Sequence, residues 1–491
     1  MLRRHWTFFL ALLPLLGWWT YGLFDLDEGF YAAIAAEMNR RGEWITTYYN
    51  GKPWFEKPIL TYWVVKPSLM LFGDMIGPRV PSILATAALY AMCAWFAKRR
   101  LSEAAAKWTP LVLGTSLLVV GAGRMVLTDP LLDLAMTAAF ITFWESLVGD
   151  RRWRIATAAC LGLAVLAKGP VAGALFLPVA GWTYWKTPSL RPAFRGWWLA
   201  GTLVFALVVA SWYLPAYLIH REVFVQKFLV EQNLGRFSGG DTSHNVPFLK
   251  GGFAFYALVL LVGFAPWVFR LPAAWKEEAD VNRYLKAWAL TVFIFFTIST
   301  AKLLHYVLPA VPPLALLVAA SLPAEGPRLK SALWRTGIAF AIANLGFLGY
   351  YYGVNLGPLK LPGFHAEVHR LARYVRGNAS PQDEVAVYKM PKEKGYKGKE
   401  GLRLDETSHP SLLLYLDRSV LDTKEWAKVL ASDRPTWIIT RWNRVRDEEL
   451  RSAGARLRPV DPFPPSLYRL WKLEPSTNTS NPSGVRSRGA E

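Results

Sequence analysis

Apolar residues in this chain come in long, nearly unbroken blocks, and short stretches rich in lysine and arginine separate them. Blocks such as Trp6–Phe24, Arg79–Ala97, Pro130–Val148, Trp197–Ile219 and Leu303–Leu322 match the roughly 20 residues that a helix rising ~1.5 Å per residue needs to cross ~30 Å of hydrocarbon. With 53% hydrophobic residues, 23 Trp and a mean hydropathy of +0.20, a chain of 491 residues is not partitioned like a set of soluble domains. It reads as a polytopic α-helical membrane protein with about eleven spans.

The formal charge of +20 does not signal nucleic acid, because the basic residues sit between the apolar blocks and not along one polar face. Lys98–Arg100, Arg151–Arg154, Lys186–Arg195, Arg270–Lys286 and Arg328–Arg335 fall on alternate loops, the pattern that fixes helix orientation in a bilayer. With Arg3 and Arg4 inside, the chain emerges outside at Asp25, and its odd number of spans leaves everything after Leu356 outside. This predicts a multi-pass protein of the plasma (inner) membrane with a cytoplasmic N-terminus. No small-residue cleavage site follows the first apolar run, which therefore reads as an uncleaved helix. Cys93 and Cys160 both lie within predicted spans and offer no disulfide framework.

Between the first two spans, Phe30, Ile34 and Met38 recur at helical spacing, predicting an interfacial helix from Glu28 to Arg41 that ends at Gly42. Residues Ile59 to Phe72 are apolar but short and carry Lys66-Pro67, so a second interfacial helix is expected there. Residues 1–355 make the transmembrane domain. After it, short β-rich runs (Glu384–Tyr388, Pro435–Thr440, Tyr468–Leu473) alternate with helical ones (His365–Arg376, Thr423–Ala431), predicting a small extracytoplasmic α/β domain over 356–474. The tail 475–491, rich in Ser, Thr, Asn and Gly, has the composition of a disordered segment.

This topology collects Asp25, Asp27, Glu28, Glu56, Lys57, Arg124, Asp129, Lys168, Arg236, His244 and Lys302 on the outer face. Both signs of charge from several spans at one membrane boundary is what a site built between helices requires. Each position also has an architectural reading. Asp27 suits a helix cap, Lys168 and Lys302 suit snorkelling ends of spans, and Asp129-Pro130 suits a helix start.

The run Asp27-Glu28-x-x-Tyr31, then Gly42-Glu-Trp44, Phe55-Glu56-Lys57-Pro58 with Tyr62-Trp63, Leu127-Thr-Asp129-Pro130, Lys168-Gly169-Pro170, Arg236-Phe237, His244-x-x-Pro247-Phe248 and Lys302-Leu303-x-x-Tyr306 stand in an order seen in one family. Over roughly residues 1–320 the chain resembles the bacterial membrane glycosyltransferases of the GT-C fold, the group of 4-amino-4-deoxy-L-arabinose transferase and the protein O-mannosyltransferases. The resemblance implies transfer of a sugar from a polyprenyl-phosphate carrier to an envelope lipid such as lipid A, a glycan or a protein, at the outer face of the plasma membrane. Gln232-Asn233 stand where the aminoarabinose transferase carries a Glu-His pair. A divalent metal, the one cofactor the resemblance suggests, is left with Glu56 and His244, too few for an ordinary zinc site.

The chemistry assigns roles within that resemblance. Displacing phosphate from an anomeric carbon passes through an oxocarbenium-like state, with a carboxylate to take the acceptor's proton and cations to hold the leaving phosphate. Asp27 is the expected base or acceptor-orienting group, with Glu28 and Asp129 as supporting carboxylates. Lys57, Arg236, Lys302 and Tyr306 are the expected phosphate grip. A transporter or flippase of a lipid-linked sugar is the alternative from another class, but it predicts midplane charges and repeated halves, which the sequence lacks. A member that binds the carrier without catalysis is a further alternative.

Overall fold

A computed structural model describes residues 2–20, 22–23, 27–195, 199–228, 230, 252–322, 329–346, 366–389, 410–441, 445–460 and 468–475. The chain divides into two compact units, the first holding residues 1–365 and 393–414 and the second 366–392 and 415–491.

In the first unit α1 (Leu2–Leu12) gives way to short 3-10 turns at Leu13–Leu15 and Trp18–Thr20. The single helix expected over 6–24 is thus broken, because Pro14 lacks an N–H and Gly17 takes a φ of 87°. A Cβ at Gly17 would lie 1.8 Å from Asn344 Oδ1, so the chain passes where only glycine fits. Next come α2 (Asp27–Arg40), the small β1–β2 hairpin (Tyr48–Tyr49, Lys52–Pro53) and α3 (Leu60–Ile76). The α2 helix is not merely laid on a surface: Ala32, Ala33, Ile34, Ala35 and Met38 are all fully covered.

The bundle continues with α4 (Val80–Arg100), α5 (Glu103–Gly114), α6 (Leu117–Gly123), α7 (Asp129–Val148), α8 (Trp153–Lys168) and α9 (Val171–Lys186). The short α10 (Arg191–Phe194) precedes α11 (Leu199–Phe224), α12 (Gly252–Gly263), the short α13 (Leu271–Ala274), α14 (Asp280–Ile298), α15 (Val311–Ala320) and α16 (Leu329–Ala341). Local chemistry sets these bounds. Ser102 caps α5 by accepting from the Ala105 N–H at 3.0 Å, Pro130 sits in the first turn of α7, and Gly169 at φ 85° separates α8 from α9. At its last turn α4 presents Arg99 and Arg100, which close on the buried Glu145 of α7 at 2.9 and 2.5 Å.

Among the described residues, α4, α7 and the helix starting at Leu199 are each long and apolar enough to cross a bilayer. The bent pairs α5–α6 (65°) and α12 with the stretch Trp267–Ala274 (101°) raise the number to five if each counts as one span. The most apolar window of α7 is 83% buried and that of the helix from Leu199 only 11%. The core therefore forms around α7, and the Leu199 helix turns Leu203, Leu207, Leu214 and Leu218 outward.

The second unit is an α/β domain with a five-stranded sheet of order β4-β3-β5-β7-β6, over Leu421–Thr423, Glu384–Tyr388, Thr436–Arg441, Tyr468–Leu473 and Leu457–Pro459. Parallel β3, β4 and β5 meet antiparallel β7 and β6, and Ala386, Tyr388, Val429 and Ile438 pack in its core. Of the expected tail 475–491, residues 476–491 lie outside the described residues.

Candidate functional site

The first turn of α2 carries adjacent carboxylates with different surroundings. Glu28 is fully buried and receives Arg79 Nε at 2.7 Å and Nη2 at 2.6 Å, and the Val126 N–H donates to it at 3.0 Å. Arg79 also donates to the carbonyls of Trp18 and Gly22, each at 2.8 Å. This pair ties α2 to the chain before α4, to the turn before α7 and to the segment after α1. Asp27, by contrast, is half-buried and makes no side-chain hydrogen bond or ion pair among the described residues. It is the first residue of α2, where the helix dipole favours a negative charge.

A second cluster forms where α7 begins. Asp129 is buried, with Lys168 Nζ 2.5 Å from its Oδ1 and His305 Nε2 3.5 Å from its Oδ2. Thr128 Oγ1 donates to Oδ2 at 3.2 Å. Lys168 lies over the Tyr306 ring, 3.9 Å from its centroid, so the last turn of α8 and the 3-10 stretch Leu304–Ala310 meet on one carboxylate. Lys168 is thus a partner of Asp129 and not only a snorkelling end.

The two clusters face one another. His305 stands within electrostatic reach of Asp129 and Lys168 and also of Asp27 and Lys57. Tyr31, whose ring is 6.2 Å from that of Tyr62, feels Asp27, Glu56 and Asp129. Burial first, and then those charges, push the Tyr31 phenol well above its ordinary range, so it is a hydrogen-bond donor at neutral pH. Asp27, Glu56, Lys57, Asp129, Lys168, His305 and Tyr306 therefore line one polar region.

Lys57 pairs with Glu56 at 3.3 Å, and both side chains keep some exposure. Lys302 is placed differently from an open phosphate grip. Its Nζ donates to the carbonyls of Phe296, Thr297 and Ser299 at 3.0, 2.8 and 2.5 Å, closing the end of α14. An ammonium has only three donors, so a phosphate would have to displace one of these carbonyls. Arg124, expected at an outer tip, is fully buried and donates to the Pro14 carbonyl and to Asn344 Oδ1. Asp25, Arg236 and His244 lie outside the described residues. Of the pair expected to hold a metal, Glu56 is engaged by Lys57, and among the described residues no three of His, Cys, Asp and Glu come together for one.

Arg79 and His305 did not stand out in the sequence. An arginine at the predicted outer end of a span, against the usual bias, was the available signal for Arg79. His305 occupied an unassigned place within Lys302-Leu303-x-x-Tyr306.

A family described as dolichyl-phosphate-mannose-protein mannosyltransferase matches residues 6–225. The undecaprenyl phosphate-alpha-4-amino-4-deoxy-L-arabinose arabinosyl transferase of Edwardsiella ictaluri is 31% identical over 339 residues, 66% of this chain and 60% of that protein. Its counterpart in Pectobacterium carotovorum subsp. carotovorum is 32% identical over 389 residues, 72% of this chain and 65% of that protein. The chain thus spans 60% and 65% of the length of these relatives. Among solved structures, ArnT from Cupriavidus metallidurans bound to undecaprenyl phosphate superposes with a TM-score of 0.75 at 18% identity, covering 98% of this chain and 99% of that one.

Proposed function

We propose that this chain, a polytopic helical membrane protein with the GT-C fold and similar to the polyprenyl-phosphate-sugar glycosyltransferases, transfers a sugar from such a carrier to an envelope acceptor. The acceptor is a lipid, a glycan or a protein at the outer face of the plasma membrane. One observation carries the reading: beside Glu28, Glu56 and Asp129, each of which holds a cation, the half-buried Asp27 at the start of α2 has no such partner among the described residues. A carboxylate left open beside cations suits a reaction in which an acceptor enters and a phosphate leaves.

In this reading the acceptor oxygen attacks the anomeric carbon and the bond from that carbon to the carrier phosphate oxygen breaks, its electron pair leaving with the phosphate. Asp27 takes the proton of an acceptor hydroxyl, or orients an acceptor phosphate that has none to give. Lys57 faces the leaving phosphate, and Arg236 is expected to join it. Lys168 and His305 hold Asp129 beside them, and Glu28 with Arg79 fixes the turn of α2 that carries Asp27. Lys302 supports the site from behind, as an anchor of α14. Glu56 would have to release Lys57 to bind a divalent metal.

The test is incubation of the purified chain in liposomes with undecaprenyl-phosphate-linked sugars and a panel of lipid, glycan and protein acceptors, followed by mass analysis. Transfer that needs both carrier and acceptor is expected. Passage of the intact lipid-linked sugar across the bilayer without transfer would instead identify a transporter.

A further inference from the structure

The motif Phe55-Glu56-Lys57 begins where the β1–β2 hairpin ends. Two residue pairs make that hairpin, Tyr48 with Pro53 and Tyr49 with Lys52, and a ribbon so short does not hold itself. The Trp54 N–H donates to the Thr47 carbonyl at 2.8 Å and the Thr47 hydroxyl donates to the Trp54 carbonyl, which extends the pairing by one step. What places the hairpin is therefore what packs on its two sides. Adjacent residues of an extended chain point to opposite faces, and Trp54 and Phe55 do so here. Trp54 and Tyr49 pack on Phe30 of α2, with ring centroids 5.3 and 4.6 Å from its own. Phe55 turns instead to α11, its ring 4.8 Å from that of His220 and 5.6 Å from that of Phe224.

The other arm of the hairpin meets the same helix. Thr46 Oγ1 and His220 Nε2 share a hydrogen bond of 2.8 Å, and the Trp212 Nε1–H donates to the Ile45 carbonyl at 2.9 Å. One imidazole thus touches both arms. From Trp212 onward the buried residues of α11 are Trp212, Ala216 and Phe224, and the half-buried His220 stands at the remaining fourth-residue position of that stripe. The helix breaks directly after it, where Arg221 takes a φ of 44°, and Phe224 beyond the break still reaches Phe55. A leucine at 220 would complete the apolar stripe. Apolar packing sets how close two surfaces come but leaves them free to slide, whereas a hydrogen bond fixes direction as well as distance. The imidazole therefore does what a leucine could not: it sets the register of the hairpin against α11.

We propose that His220 is a positioning residue for Lys57. By holding Thr46 and Phe55 at once it fixes the exit of the hairpin, two residues before the ammonium that faces the carrier phosphate. The role rests on the reading of Lys57 given above. Because the opposite face of the same hairpin lies on Phe30 of α2, the helix that opens with Asp27, the clamp also sets the distance between the phosphate side and the acceptor side of the site.

The test is the affinity of the full chain in nanodiscs for undecaprenyl phosphate, with His220→Phe and Thr46→Val each made in the parent and in a Lys57→Met protein. His220→Phe keeps a ring against Phe55 and loses the hydrogen bond, and Thr46→Val loses the same bond from the hairpin side. Each should weaken carrier binding about fivefold in the parent, as loss of one hydrogen bond implies. Neither should weaken it further in Lys57→Met, because both act through that ammonium. If His220→Phe fails to fold, Thr46→Val carries the test alone. Lys57-dependent carrier binding that both substitutions leave unmoved, or a fall of equal size with and without Lys57, overturns the positioning role and leaves the reading of Lys57 intact. Carrier binding that does not depend on Lys57 in the parent removes that reading, and the role of His220 with it.

Discussion

The Arg79 guanidinium grips the Glu28 carboxylate through Nε and Nη2 at 2.7 and 2.6 Å, with neither side chain meeting solvent. Breaking a buried pair from one side strands a charge and costs roughly 3–5 kcal/mol. Arg79→Met should therefore collapse the yield of monodisperse protein, and Arg79→Lys, which keeps the charge but loses the fork, should give a folded protein of lower thermal midpoint. Size-exclusion profiles and melting curves of the two variants decide this. A well-folded Arg79→Met protein would show that the pair is not the fastener of α2.

Lys57 and Lys302 should separate into grip and anchor. Lys57→Met should weaken binding of undecaprenyl phosphate about tenfold or more, as loss of a charge-assisted contact implies, with little change in stability. Lys302→Met leaves the carbonyls of Phe296, Thr297 and Ser299 without their donor, so it should lower the thermal midpoint first. Carrier titrations and melting curves on both proteins discriminate. Weakened carrier binding by Lys302→Met at unchanged stability would return Lys302 to the grip.

Legibility in the sequence followed the range of the interactions. The start of α7 was readable because Asp129-Pro130 is a local signal, and β3 and β7 were readable from short β-rich runs between polar segments. The break in the first helix was also local, at Pro14 and Gly17, but an unbroken apolar run hid it, since hydropathy does not register backbone geometry. The pairing of Glu28 with Arg79, 51 residues apart, has no periodicity to reveal it. The contact of His305 with Asp129 likewise depends on how distant helices pack. Charge type was therefore legible, and charge partnership was not.

In the α/β domain, burial alone would raise the Glu449 carboxyl. Hydrogen bonds from Lys389 at 2.6 Å, Tyr388 at 2.5 Å and the Arg446 N–H at 2.8 Å outweigh it and hold the group at about 2. An unfolded glutamate titrates near ~4.3, so the folded state gains stability that is complete above that pH and is lost as pH falls toward 2. Glu449→Gln should melt earlier than the parent domain at about pH 6 and show a smaller loss between about pH 5 and 3. Hydrogen exchange of β3 and β5 in the full chain, corrected for intrinsic rates, reads this locally. Equal acid sensitivity of the parent and Glu449→Gln would remove Glu449 from the domain's pH response.

Asp27 provides the sharpest division between chemistry and architecture, because it opens α2 and has no side-chain partner among the described residues. Asp27→Asn keeps the shape and the polar group at the start of the helix, so folding and carrier binding should match the parent protein. If the carboxylate takes the acceptor's proton, turnover with a hydroxyl acceptor should fall by ~100-fold or more. With an already ionised phosphate acceptor the fall should be smaller, since no proton moves and only orientation is lost. Asp129→Asn should behave differently: it leaves Lys168 and His305 without their carboxylate, so carrier binding and stability should change along with turnover. Steady-state rates with both acceptor types, carrier affinities and melting curves for the two variants make the comparison. Near-normal turnover of Asp27→Asn with a hydroxyl acceptor would exclude it as the base, whatever the outcome at Asp129.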